Sequence, residues 1–173
     1  MPTLHRRALL ALSTLLVTGP VAAARKAAPP VAEVQGLVTQ VVDAATVRFT
    51  PDGGSAITVR VRDIEPPEPC QPWGTEAKAA LSALVLNKKT VLRAGPADAR
   101  GRTVGVLLVE GVNVGSRMVE DGNAWSVRFR NDAGPLVKQE RMAKALARGL
   151  HNTPGAVMPR EWRRSRPCQK DAG

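Results

Sequence analysis

Three short segments carry the residue types that could do chemistry. The first, VRVRDIEPPE over residues 59–68, ends a β-rich run and passes into a Pro-Pro loop. Each proline restricts φ and biases the residue before it towards extended geometry, so Glu65 and Glu68 are held rather than loose. A carboxylate can take a proton from water. A guanidinium can bind phosphate oxygens in pairs and stabilise charge developing on phosphorus. Arg60 with two carboxylates just beyond it is therefore an arrangement suited to phosphodiester cleavage; a solvated surface ion-pair cluster is the other reading of the same residues. The second segment, DARGRT at 98–103, is a glycine-containing turn that delivers Arg102 to the start of a strand. In the third, VVDAATV at 41–47, a tight connection brings the carboxylate of Asp43 towards the same end.

The elements around these segments predict how they are positioned. Runs rich in β-branched residues predict strands over 34–42, 46–50 and 56–62, separated by Asp43-Ala44-Ala45 and Pro51-Asp52-Gly53-Gly54. Residues 75–86 carry apolar side chains at helical spacing, with Glu76 well placed in the first turn. Strands over 89–94 and 103–109 follow, joined by a polar turn around 96–101. Helices are expected over 113–121, ending at Gly122, and over 135–148, with Pro in its first turn and Gly149 after its last. Residues 154–173 read as a basic, Pro-punctuated tail. This order predicts an α+β fold: an OB-type five-stranded barrel with a helix between strands three and four, and two C-terminal helices. The regular strand-helix alternation of a doubly wound sheet is missing.

A length of 173 residues leaves room for one ordinary domain. Lys and Arg number 25 against 15 Asp and Glu, a formal net charge of +10 that favours a polyanionic partner. Aromatics make up 3% of the chain, with no Tyr, so a base-stacking platform of the single-strand-binding kind has few side chains to build it. The charge is also uneven. Residues 25–99 hold nine basic and eight acidic residues, whereas those from Arg100 onward hold fourteen and seven. The candidate carboxylates thus lie mainly in a nearly neutral half, and the positive field comes from the other.

Arg6 and Arg7, the apolar run 8–17, a Gly19-Pro20 break and Ala22-Ala23-Ala24 have the layout of a secretory signal, with cleavage expected before Arg25. An apolar run of about ten residues is too short to span a bilayer, so the mature chain is expected to have no membrane span. Residues 25–33 read as a linker, 34–165 as the domain and 166–173 as a C-terminal tail. The product is expected to be a monomer in the periplasm or the medium. In that oxidising setting Cys70 and Cys168 are expected to pair, tying the tail to the loop after the third strand; two free thiols are the alternative. A ring of about 100 residues would stabilise by roughly 4 to 5 kcal/mol in the loop-entropy picture. With no CxxC and only His5 and His151, the usual zinc frameworks are excluded.

Taken together, VTQVVDAATVRF, VRVRDIEPPE and DARGRTVGVLLVEGVNVG, followed by EDGNAW and PREWRRSRP, resemble the thermonuclease (staphylococcal nuclease-like) family over residues 34–165. The resemblance implies an OB-type barrel with C-terminal helices, and a calcium-dependent endonuclease cutting DNA and RNA on the 5′ side of the phosphodiester. It implies Arg60 as the first phosphate-contacting arginine, Glu68 as general base and Arg102 as the second arginine, stabilising the transition state. The family's metal-ligating Asp after D-G falls on Ala45, its Gly on Ala44, and the other ligating Asp on the longer Glu65. Calcium affinity follows the number of carboxylates, so weakened binding is expected, with Asp43, Asp63 and Glu68 left to compensate beside Glu65. The family's nucleotide-packing tyrosines are absent; Arg128 and Arg130 stand in the later strand, where arginine can bind phosphate or stack on a base. Three classes of function follow: a secreted nuclease, weak or with altered metal use; an inactive nucleic-acid-binding module; and an exported barrel that binds a protein or an envelope polyanion.

Overall fold

The computed structural model describes residues 32–130, 132–165 and 168. The leader expected at 1–24, the linker before residue 32 and the 166–173 tail apart from Cys168 lie outside them. Alternation of apolar and polar residues sets three antiparallel strands, β1 (Glu33–Asp43), β2 (Thr46–Pro51) and β3 (Ile57–Val61). Val38, Val47, Phe49, Val59 and Val61 are buried between them, as period-two side-chain placement requires. The two-residue β4 (Ile64–Glu65) follows a turn in which Asp63 has a φ of 69°. Helix α1 (Gly74–Val85) then buries Ala77, Leu81 and Val85, one residue per turn, and Leu81 and Val85 join the same core.

Strand β5 (Lys89–Ala97) pairs with β1, and β6 (Thr103–Val109) runs antiparallel to β5. β6 also pairs parallel with β3, which returns the sheet to its starting edge and closes a five-stranded barrel. The fold is α+β of OB type, with α1 between the third and fourth barrel strands. A two-residue β7 (Val112–Asn113) turns back along β6 and leads into α2 (Val114–Glu120), whose first turn is capped by Asn113 Oδ1 accepting the Ser116 N–H at 3.1 Å. β8 (Trp125–Ser126) pairs with β4 in a second, small sheet. Helix α3 (Val137–Ala145), a 3-10 turn (Gly149–Asn152) and α4 (Pro159–Ser165) complete the described chain. None of the helices is long and apolar enough to cross a membrane among the described residues.

Besides the short β4, β7 and β8, the structure departs from the sequence reading in its later helices and in β5. Among the described residues three α-helices follow the barrel rather than two, because α4 forms where a plain tail is expected. Seven residues are too few for a helix to stand by itself, and burial of Pro159 and Trp162 supplies what local propensity lacks. The helix expected over 135–148 is confined to Val137–Ala145, since Ala147 and Gly149 take positive φ. Strand β5 continues to Ala97 through an irregularity between Ala94 and Ala97, carrying the backbone up to the Asp98 turn.

Candidate active site

The barrel seam brings two arginines to one end. Arg60 pairs with Val104 across the parallel β3–β6 ladder, two positions from Arg102. Arg102 leaves a turn in which Gly101 has a φ of 74°, a backbone that a side chain would strain. Asp98 holds this turn together: Oδ1 accepts the N–H groups of Arg100 and Arg102 at 2.9 and 3.0 Å, and Oδ2 accepts Arg102 Nε at 2.8 Å. The hydrogen bond from the Arg102 side chain is the main reason the Asp98 carboxyl lies below the usual carboxylate range. Arg102 Nη1 also donates to Thr46 Oγ1 at 3.2 Å, fixing the guanidinium against β2. Arg60 is partly buried, and that burial, followed by the neighbouring Arg102 charge, pushes it below its ordinary value; Asp43, Asp98 and Glu65 oppose the shift. Two cations so placed are best satisfied by an anion with several oxygens, such as phosphate.

The carboxylates reach the same cleft from the other side. Glu65 ends β4, opposite Trp125. The Glu68 loop is locked by Gln71: Glu68 N–H donates to Gln71 Oε1 at 3.0 Å, and Gln71 N–H donates back to the Glu68 carbonyl at 2.9 Å. Gly74 lets the loop lie directly on the start of α1, since a Cβ there would come within 2.2 Å of the Glu68 carbonyl oxygen. Asp43 sits in the β1–β2 turn, where Oδ1 accepts the Ala45 N–H at 2.8 Å. The resulting cleft has a volume of about 640 Å³, and Asp43, Arg60, Glu65, Glu68 and Arg102 all line it. Asp63 does not; it faces Arg62 at 3.4 Å instead.

Asp98, Arg100 and Arg163 line the cleft as well, and of these Arg163 touches the candidate carboxylates. Helix α4 carries Arg163 into the cleft, where Nη1 donates to Glu68 Oε1 and Nη2 lies 3.9 Å from Glu65 Oε1. The segment is fastened nearby, because Cys70 and Cys168 form a disulfide with Cα atoms 5.7 Å apart, and Gln71 Nε2 donates to the Val157 carbonyl. Its sequence signal is a basic residue in PREWRRSRP, five residues before a cysteine. Arg128 goes the other way. It is committed to Glu140 at 2.6 Å and to the Ala133 carbonyl, and does not line the cleft.

Calcium, which the resemblance implies, takes six to eight oxygen ligands. The described residues hold no group of three or more His, Cys, Asp or Glu side chains arranged for a metal. Ala45 brings no oxygen on its side chain, Asp43 Oδ1 is already bonded to backbone, and Arg163 covers Glu65 and Glu68. Arranged in this way, the donors do not fit a calcium cage.

Comparison with known proteins supplies the family. A model described as staphylococcal nuclease homologue matches residues 58–153. Protein ParB of Escherichia coli is 32% identical over 178 residues, covering 96% of this chain and 95% of the relative. An uncharacterized endonuclease of Haemophilus influenzae is 32% identical over 73% of this chain and 71% of its own length. A micrococcal nuclease of Shigella flexneri is 28% identical over 79% and 84%. Nucleases of this kind are metal-dependent hydrolases of nucleic acid that in general use calcium. By its barrel, the family match over more than half its length and a relative similar from end to end, the chain belongs to the staphylococcal nuclease family.

Proposed function

We propose that the mature chain is an exported, monomeric endonuclease that hydrolyses phosphodiester bonds of DNA or RNA. The observation that carries this reading is Arg60 and Arg102 sharing one cleft with Glu68. In the reaction, Glu68 takes a proton from a water whose oxygen bonds to phosphorus, the P–O5′ bond breaks, the leaving oxygen takes a proton from solvent to become a 5′-hydroxyl, and Glu68 returns its own proton to solvent. Arg60 and Arg102 bind the non-bridging oxygens and stabilise the charge that builds on them. Arg102 is held in advance by Asp98 and Thr46, so little reorganisation is needed at the moment of reaction. The leader at 1–24 and a domain over 34–165 belong to the same reading, and the disulfide supports an oxidising destination.

Ala45 and the covering of Glu68 by Arg163 favour a second reading, an inactive OB-type module that binds nucleic acid or an envelope polyanion. The discriminating experiment incubates the purified mature chain with single-stranded DNA and with RNA, in calcium or in chelator, beside Glu68→Gln. Cutting that Glu68→Gln abolishes supports the nuclease. Salt-sensitive binding without cutting under any divalent ion supports the module instead.

A further inference from the structure

Arg163 has no place among the residues expected at the site, yet it makes the closest contact to the carboxylate assigned as base. We propose that Arg163 is a tethered counter-cation of the Glu65–Glu68 pair, taking the position where a divalent ion would meet those carboxylates, so that guanidinium and ion exclude each other. The two nitrogens of one guanidinium reach both acids, Nη1 at Glu68 and Nη2 at Glu65. A cation there is surrounded by fewer donors than calcium needs, because Ala45 contributes none and Asp43 is turned to the Ala45 backbone. A singly charged group matches this reduced donor set better than a doubly charged ion that must shed its water.

The contact is also built rather than casual. Exposed Arg–Glu pairs on long side chains usually hold weakly. Here α4 is seated by buried Pro159 and Trp162, by the Gln71 hydrogen bond to Val157, and by a disulfide whose first half lies two residues after Glu68. These fastenings raise the local concentration of the guanidinium at the carboxylates well above that of a free tail. The consequence for cleavage, which rests on the nuclease reading, is that an incoming phosphate must draw Arg163 off Glu68 before that carboxylate can accept a proton.

The test titrates calcium into the oxidised mature chain by isothermal calorimetry, alongside Arg163→Gln, Arg163→Lys and the double variant Arg163→Gln/Glu68→Gln. Arg163→Gln is expected to bind calcium about tenfold tighter or more, because a positive charge has left two carboxylates. Arg163→Lys keeps a charge and stays near the parent, and the double variant loses the gain. Opening the disulfide with Cys70→Ser moves the parent in the same direction as Arg163→Gln, which keeps the proposal testable where the Arg163 variants fold poorly. Equal calcium affinity in parent, Arg163→Gln and Cys70→Ser overturns it. Single-stranded DNA cleavage measured on the same samples separates the two readings. If nothing cuts, the nuclease assignment falls, while the affinities still decide the counter-cation.

Discussion

Glu140 and Glu68 each accept a hydrogen bond from a guanidinium, Arg128 for the one and Arg163 for the other, and their surroundings set them apart. Glu140 is 1% exposed, and three donors converge on it: the Ser126 N–H at 2.9 Å, Arg128 at 2.6 Å and Lys144 at 2.6 Å. Burial alone would raise its pKa, but Lys144, Ser126 and Arg128 together hold it below the usual range. It is a joint that locks α3 to β8. The Glu68 side chain is 28% exposed on an open cleft, and its partner Arg163 is itself 55% exposed. A buried carboxylate held by three donors cannot exchange partners at low cost, whereas a half-exposed one can. The comparison teaches where to look for chemistry: at the carboxylate whose partner can be displaced.

Perturbing each side should break that contrast in a different observable. Glu68→Gln should lower cleavage of single-stranded DNA by about 10²- to 10⁴-fold, in the range of a lost general base, with a urea midpoint close to the parent. Glu140→Ala should do the reverse. Leaving Arg128 and Lys144 uncompensated should cost about 3 to 5 kcal/mol in urea denaturation, with cleavage well below the transition retained. Loss of cleavage on a par with Glu68→Gln, in a folded Glu140→Ala protein, would erase the distinction. Cys70→Ser should cost about 2 to 5 kcal/mol of stability by freeing the tail, the loop-entropy figure being its upper end.

The smallest expected effect is a pH dependence near Glu140. His151 packs edge-on to Trp125, with ring centroids 6.3 Å apart, and burial pushes its pKa below 6.5, with Lys144 adding and Glu140 opposing. The unfolded chain then binds the proton more tightly than the folded one. His151 therefore takes away no stability above about pH 6.5, and stability falls as pH drops below that value towards the folded pKa. Thermal melting at pH 7.5 and 5.5 should show a drop that His151→Phe reduces.

Much of this frame was legible in the sequence. The β-branched runs mark all five barrel strands, and Arg60, Glu65, Glu68, Arg102 and Asp43 converge because strand ends and turns meet at the barrel seam. Helix α4 was hidden, since its seven residues owe their form to burial of Trp162 rather than to local preference. Arg163 was hidden for a related reason: it meets Glu68 across 95 residues of sequence, and no spacing rule reaches that far. Arg128 shows the opposite failure. Its type suggested phosphate, but a carboxylate fourteen residues after Ser126 had already claimed it.

The disulfide has one more consequence, a mechanical one. Cys70 and Cys168 are separated by 98 residues, and the bond short-circuits everything between them. If the oxidised molecule were pulled by its two ends, tension would pass from β1–β4 straight through the sulfurs, and α1, β5, β6 and the later helices would carry none of it once the earlier strands had peeled away. Reduction would release roughly 330 Å of hidden contour length, so the force-extension trace of the reduced chain should be longer by about that amount.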